Sequence, residues 1–249
     1  MDLGIAGKVA LVTGASKGLG FGVATALAEE GATVAVSSRS EERIQAAALA
    51  IGGIGFVHDS SDVDGAPVLA DRVETELGPI KILVINTGGP PGGDDALAFR
   101  REQWEEAYRT LVLTPMALIR HVLPGMRDRG WGRILNLSSS AVREPIRNLM
   151  LSNTHRAAML TGFKTIARQV ARDGVTLNTL LPGRFATDRM VSLYASQQEA
   201  DARAAEEIPA GRLGRVEEYA SAAAFLCSEP ASYITGVALL VDGGLTRSV

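Results

Sequence analysis

The chain has 249 residues, of which 46% are hydrophobic and 21% charged, with a net charge of −3. That length suits one domain, 1–249, able to bury roughly 70–75% of the surface its unfolded form exposes. Charge is scattered without a basic run, which argues against capture of nucleic acid or an anionic membrane and leaves a small molecule as the expected partner. Cys227 is the only cysteine, so no internal disulfide is possible. No apolar run approaches the roughly 20 residues of a membrane span and MDLGIAGK is not an apolar leader, so the expected location is cytoplasmic.

The first unit organises the rest. Val9–Thr13 is apolar and partly β-branched, as a strand buried on both faces would be. Gly14 ends it, Gly18 and Gly20 follow, and Val23 and Leu27 then repeat at helical spacing up to Gly31, read as the C-cap. Strand, glycine turn and helix together form a phosphate cradle: the first glycine permits the turn, the next admits backbone N–H groups to a pyrophosphate, and the last lets helix and strand pack closely. The helix start adds partial positive charge. A glycine-rich turn without a ligand is the competing reading.

Strands are then expected at Ala32–Ser37, Ile54–His58, Ile80–Ile85, Trp131–Leu137, Val175–Leu181 and Val237–Val241. Helices are expected at Glu41–Ala50, Val63–Leu77, Arg101–Arg127 with a kink at Pro115, Met150–Arg172, and an alanine-rich stretch after Val216. Strict alternation predicts an α/β fold, a doubly wound, Rossmann-like sheet of seven mainly parallel strands with helices on both faces. Its ligand should sit at the carboxyl ends where strand order reverses. The loop Thr87–Asp95 and the segment Ala186–Gly211 are the stretches expected to move.

After the second strand the residues are SSRS, with Arg39 where an acidic residue would hold a ribose 2′-hydroxyl. Arg39 with Lys17 favours NADP(H) over NAD(H) through a 2′-phosphate, unless both are solvated surface charges. His58 and His121 lack partners at ligand spacing, so no metal is expected.

With Thr13 ahead of the glycines, T-G-x-x-x-G-x-G resembles the cofactor turn of the short-chain dehydrogenase/reductase family. Pro182, Gly183 and Thr187 match its P-G-x-x-x-T, and Arg212–Gly244 matches its C-terminal run, so the resemblance spans residues 4–245 and is nearest to 3-oxoacyl-acyl-carrier-protein reductases. It implies that Gly14, Ser16, Lys17, Gly18, Leu19 and Gly20 surround the pyrophosphate. It also implies that Asp59, beside Ser60, meets the adenine, although a helix-capping role fits Asp59 equally well. Asn86, Thr87 and Gly88 partly match the family's N-N-A-G, and Pro182, Gly183 and Thr187 would lie by the nicotinamide.

On the catalytic side the resemblance breaks. Ser139 falls on the family's serine, but 13 residues on stands Ser152 instead of tyrosine, and four further Arg156 instead of lysine. Leu111 takes the asparagine position. Arg156 keeps a charge for the ribose, yet a guanidinium cannot relay a proton. His155 is a candidate substitute acid or, alternatively, a packing residue; Tyr108 would be a core aromatic or face the site.

Two readings stay open. One is an NADP(H)-dependent oxidoreductase acting on a carbonyl or alcohol with an altered proton donor; the other is an inactive dinucleotide-binding sensor or partner subunit. The resemblance further implies a homo-oligomer, a tetramer or a dimer.

Overall fold

The computed structural model describes residues 1–248, so Val249 of the expected 1–249 domain lies outside the described residues. Seven strands form one sheet: β1 Val9–Thr13, β2 Thr33–Ser38, β3 Ile54–Val57, β4 Ile80–Ile85, β5 Gly132–Leu137, β6 Val175–Pro182 and β7 Ala238–Val241. Their order is β3-β2-β1-β4-β5-β6-β7, with every pair parallel. The order reverses between β1 and β4, and this is where a crevice opens at the carboxyl ends.

The helices are α1 Gly18–Glu29, α2 Glu41–Ala50, α3 Gly65–Leu77, α4 Arg101–Tyr108, α5 Thr114–Asp128, α6 Met150–Val170, α7 Asp188–Val191, α8 Gln197–Glu207 and α9 Val216–Leu226. Alternation along β1 explains why its apolar run is continuous. Ala10 and Val12 share one core with Val23 and Leu27 of α1, Ile44 of α2 and Tyr219 of α9. Val9 and Leu11 share the other with Leu69 of α3, Leu118 of α5 and Phe163 of α6. Helix α1 meets α9 so closely that a Cβ on Gly22 would overlap Val216.

Several element ends differ from expectation for local reasons. Helix α3 starts at Gly65 rather than Val63, because Asp62 Oδ1 accepts the Gly65 N–H at 2.9 Å and commits residues 62–64 to a turn. Helix α6 stops at Val170 and gives way to a single 3₁₀ turn, Ala171–Asp173, closed by Gly174 at φ +71°. Pro115 does not produce a simple kink. It has no N–H to return to the Leu111 carbonyl, and the helix widens into a π-turn over Arg109–Leu113 in which Thr114 N–H bonds Arg109 O. The segment 186–211 is largely helical: Thr187 caps α7, Ser196 caps α8, and Ala200, Ala204, Ile208 and Leu213 form a small core of their own.

At the end of the sheet away from the crevice, Arg133 of β5 is 1% exposed. Its guanidinium donates to the carbonyls of Ser228 (2.9 Å), Gly132 (2.9 Å) and Gly174 (3.2 Å), lies 4.0 Å from the Glu229 carboxylate, and stacks 4.4 Å from the Trp131 ring. It ties β5 to the segments after α9 and before β6. Removing it strands three carbonyls and leaves a cavity, so Arg133→Ala is expected to cost about 3 kcal/mol. That corresponds to a fall in Tm of roughly 6–12 °C for a chain of this size; a calorimetric shift under about 2 °C would contradict this account.

Candidate functional site

The site is built on a clip between β1 and β4. Thr13 Oγ1 donates to Asn86 O at 2.9 Å and accepts from Asn86 N–H at 3.0 Å, while Asn86 Nδ2 donates to Gly14 O at 2.7 Å. All three bonds fall where strand order reverses. They require glycine: a Cβ on Gly14, at φ +57°, would stand 2.5 Å from Asn86 O, and one on Gly20 would run into the Asn86 amide and Gly14 O. Helix α1 then begins with no side-chain cap and no acidic residue in its first turn. Its leading N–H groups are thus left for an anion, which is the fit a dinucleotide pyrophosphate needs.

The remaining dinucleotide candidates fall around this turn. Ser16 and Leu19 are half-buried on it, and Lys17 is exposed beside them. Gly18, at φ +62°, approaches Thr187: a Cβ there would stand 3.8 Å from Thr187 Cγ2, so the first turn and the loop after β6 are neighbours. Thr187 Oγ1 accepts from Met190 N–H at 3.3 Å and keeps its own hydrogen to donate. Pro182 ends β6 opposite Val241, and Gly183 N–H bonds Val241 O at 3.0 Å. Thr87 lines a small internal cavity and Gly88 borders open space.

Arg39 is exposed at the end of β2 and, together with two hydrogen bonds from Ser61, holds the Asp59 carboxyl below the ordinary carboxylate range; the backbone N–H of Ser61 is the largest cause. Those bonds, both 2.9 Å, use Oδ1 of Asp59 in a local turn, and it is Asp62 rather than Asp59 that accepts the Gly65 N–H at the start of α3. Ser60 lines the same cavity as Thr87.

On the other side of the crevice, Ser139 Oγ accepts from Ala141 N–H at 3.1 Å. Arg156 Nε donates to Ser152 Oγ at 3.1 Å, and its Nη1 donates to Leu137 O at 3.2 Å, so Ser152 and the end of β5 are drawn together. Both serine oxygens already receive an N–H, which leaves each hydroxyl hydrogen to donate elsewhere. Burial pushes the Arg156 guanidinium down to about 10, and nearby Arg189 pushes the same way. It is still charged at neutral pH. Leu111 is buried within the π-turn.

His155 points elsewhere. Its Nδ1 bonds Leu151 O at 2.7 Å, and its ring lies 5.6 Å from Trp104 and 6.1 Å from Tyr108, a placement that favours packing over acid chemistry. Tyr108 is 46% exposed rather than a core aromatic, because the π-turn that follows sets the face α4 shows to α6.

Four residues at the site have no motif in the sequence. Arg189 of α7 lies over the loop after β4, where a Cβ on Gly89 would stand 2.8 Å from Nη2. Tyr219 is wholly buried, packs edge-on against Phe185 at 5.2 Å, and has its hydroxyl pushed up by burial, so it is no proton donor to the crevice. His58 and Thr114 line a cavity of about 10 Å³, between the ends of β1, β3 and β4 and the start of α5, and Nε2 and Oγ1 have no protein partner there. Among the described residues no group of three metal-binding side chains forms, and no helix is long and apolar enough to cross a membrane.

A seven-stranded parallel sheet with an uncapped glycine turn at its reversal point is the Rossmann-like class of dinucleotide-binding architecture. Residues 14–246 match the family model described as enoyl-(acyl carrier protein) reductase. Among similar proteins, the 3-oxoacyl-acyl-carrier-protein reductase of Vibrio cholerae is 38% identical over 247 residues, covering 98% of this chain and 99% of that one. The corresponding reductase of Escherichia coli K12 is 36% identical, with 96% and 97% covered. Of solved structures, L-sorbose reductase from Gluconobacter frateurii, complexed with NADPH and L-sorbose, superposes over 100% of both chains with a TM-score of 0.93 at 30% identity. The chain belongs to the short-chain dehydrogenase/reductase family.

Burial holds His58 below the ordinary imidazole range, against the pull of Asp62 and Asp59. The folded chain therefore resists a proton that the unfolded chain takes up near pH 6.5. Stability is expected to be full above that pH and to fall as pH drops towards the lowered folded value, by up to about 1.4 kcal/mol per unit. Urea midpoints between pH 7 and 5 should show this slope and lose it in His58→Gln; an unchanged slope in the variant would remove His58 as its source. Asp59 and Asp242, held low by hydrogen bonds, titrate below this window.

Proposed function

We propose that the protein is an NADP(H)-dependent reductase of a carbonyl compound, or dehydrogenase of the corresponding alcohol, whose proton donor differs from the family's tyrosine. The observation that carries this reading is the clip of Thr13, Gly14 and Asn86 beside an uncapped α1, a cradle that any Cβ at Gly14 or Gly20 would fill. Relatives similar over nearly their whole length are 3-oxoacyl-acyl-carrier-protein reductases, and the L-sorbose reductase structure carries NADPH. Gly14, Gly18 and Gly20 would hold the pyrophosphate, Arg39 and Lys17 the 2′-phosphate, Asp59 the adenine, and Thr187 the carboxamide. When bound, the reduced dinucleotide supplies hydride to the carbonyl carbon.

The chain's own part is positioning and polarisation. Ser139 and Ser152 each have a hydroxyl hydrogen left to donate, and Arg156 beside them supplies positive charge that draws electron density to a carbonyl oxygen. None of the three is a proton source of phenol type, and without that source the rate should be lower by about 10²- to 10⁴-fold. Solvent is then the terminal proton donor. The second reading, an inactive dinucleotide-binding sensor or partner subunit, is favoured by Leu111, Ser152 and Arg156 standing together in place of asparagine, tyrosine and lysine. Half-exposed Tyr108 on α4 and the outer strand β7, with Leu239 exposed, would suit a homo-oligomeric interface. Light scattering should return the mass of two or four chains, and a monomer would overturn that part.

One set of measurements tests the function. NADPH should bind at least tenfold tighter than NADH, about 1.4 kcal/mol, and Arg39→Asp should reverse the order. Acetoacetyl thioesters and a panel of small ketones should be reduced slowly, and Leu111→Asn, Ser152→Tyr and Arg156→Lys combined should raise the rate. Binding without turnover in either form would favour the second reading; no binding of either dinucleotide would defeat both.

A further inference from the structure

We propose that Arg156 and Arg189 together hold an oxyanion carried by the substrate, so that the preferred carbonyl compound bears a carboxylate or phosphate group. The inference rests on the dinucleotide-dependent reading above and names the substrate class of the same crevice.

The two guanidiniums come from different elements at the crevice. Arg156 rises from α6 at its floor, fixed by the bonds from Nε to Ser152 Oγ and from Nη1 to Leu137 O. Arg189 comes from α7 and lies against the loop after β4, its Nη2 and Nη1 at 2.8 and 3.0 Å from the point a Gly89 Cβ would occupy. Any side chain at 89 would displace it. The two are near enough for Arg189 to depress the ionisation of Arg156 by like-charge repulsion.

Two other arginines at this end of the molecule are neutralised. Arg184 pairs with Glu207 and Arg212 with Glu218. Among the described residues neither Arg156 nor Arg189 has a carboxylate within 4.0 Å. Nor does the Arg189 side chain donate to any of their oxygens, since Arg189 enters side-chain bonding only through its carbonyl, which accepts from Ser192. Two neighbouring guanidiniums without a counter-charge repel each other, and an oxyanion between them would remove that repulsion while taking up the planar fork of donors each presents. The half-buried position of Arg156 strengthens the effect, because screening is weaker there than at the surface.

The test is calorimetry on the full chain loaded with NADP⁺, using acetoacetate, dihydroxyacetone phosphate and the neutral acetoacetamide as probes. At least one anion should bind tenfold or more tighter than the amide, and the better of the two identifies carboxylate or phosphate. Arg189→Ala should bring the anion to within about twofold of the amide while NADP⁺ affinity holds, and Arg189→Lys should recover part of the preference. Equal binding of all three probes by the unmodified chain would overturn the inference and leave the dinucleotide reading standing. A loss of NADP⁺ affinity in Arg189→Ala would also overturn it, assigning the arginine to the dinucleotide pyrophosphate. Failure of the unmodified chain to bind NADP⁺ would remove both.

Discussion

Everything at the carboxyl edge of the sheet depends on how β1 and β4 are joined. A parallel pair whose neighbours run off in opposite directions has a natural gap at its end, because the crossover helices leave to opposite faces. Here the gap is closed at its base by one asparagine. Asn86 satisfies Thr13 through its backbone and Gly14 through its side-chain amide, so the glycine turn is held open by hydrogen bonds rather than by packing. This explains why glycine is needed at two separate positions, one for its positive φ and one for its missing Cβ, and why the first turn of α1 meets solvent with its N–H groups unspent.

From that fixed point the crevice has two unequal walls. The wall of β1, β2 and β3 presents an uncapped helix, the exposed cations Lys17 and Arg39, and an Asp59 carboxyl held low. The wall of β5, β6 and α6 is organised around a guanidinium. Arg156 braces Ser152 against the end of β5 and brings a charge that persists at neutral pH. Such a charge can polarise and attract, and it cannot shuttle a proton. On the reading proposed above, the chemistry of this wall would be electrostatic and orientational.

The sheet was legible in the sequence because each strand is an apolar run bounded by glycine, proline or polar residues, and each helix repeats at 3.6. The glycine turn was legible because its spacing has a mechanical meaning, and the loop after β6 only through its resemblance to the family's P-G-x-x-x-T. What escaped was whatever depends on contacts between distant segments. Arg189 looked like one surface charge among many until the bare backbone of Gly89 gave it a place to lie. Tyr219 sits in an ordinary amphipathic helix, and only burial against Phe185 shows its phenol to be sealed off. His58 lacked any motif, and its significance comes from a cavity shared with Thr114 on a helix far along the chain. The start of α3 shifted by two residues because Asp62 took a backbone donor for itself, and the end of α6 because Gly174 closes a 3₁₀ turn there.

The π-turn at Arg109–Leu113 takes up one residue more than an α-helical turn without the matching rotation, and each residue of an α-helix turns it by about 100°. Helix α4 and helix α5 are thus out of phase by that amount, and the phase difference is what lets Trp104 and Tyr108 meet His155 while Leu118 and Val122 stay under the sheet. Such a rod tolerates point changes on its outer face, but an extra residue inserted between Trp104 and the π-turn would turn the aromatic pair about 100° off its neighbour. The spacing between Trp104 and Pro115 is in this sense a gear tooth, setting how two long helices mesh.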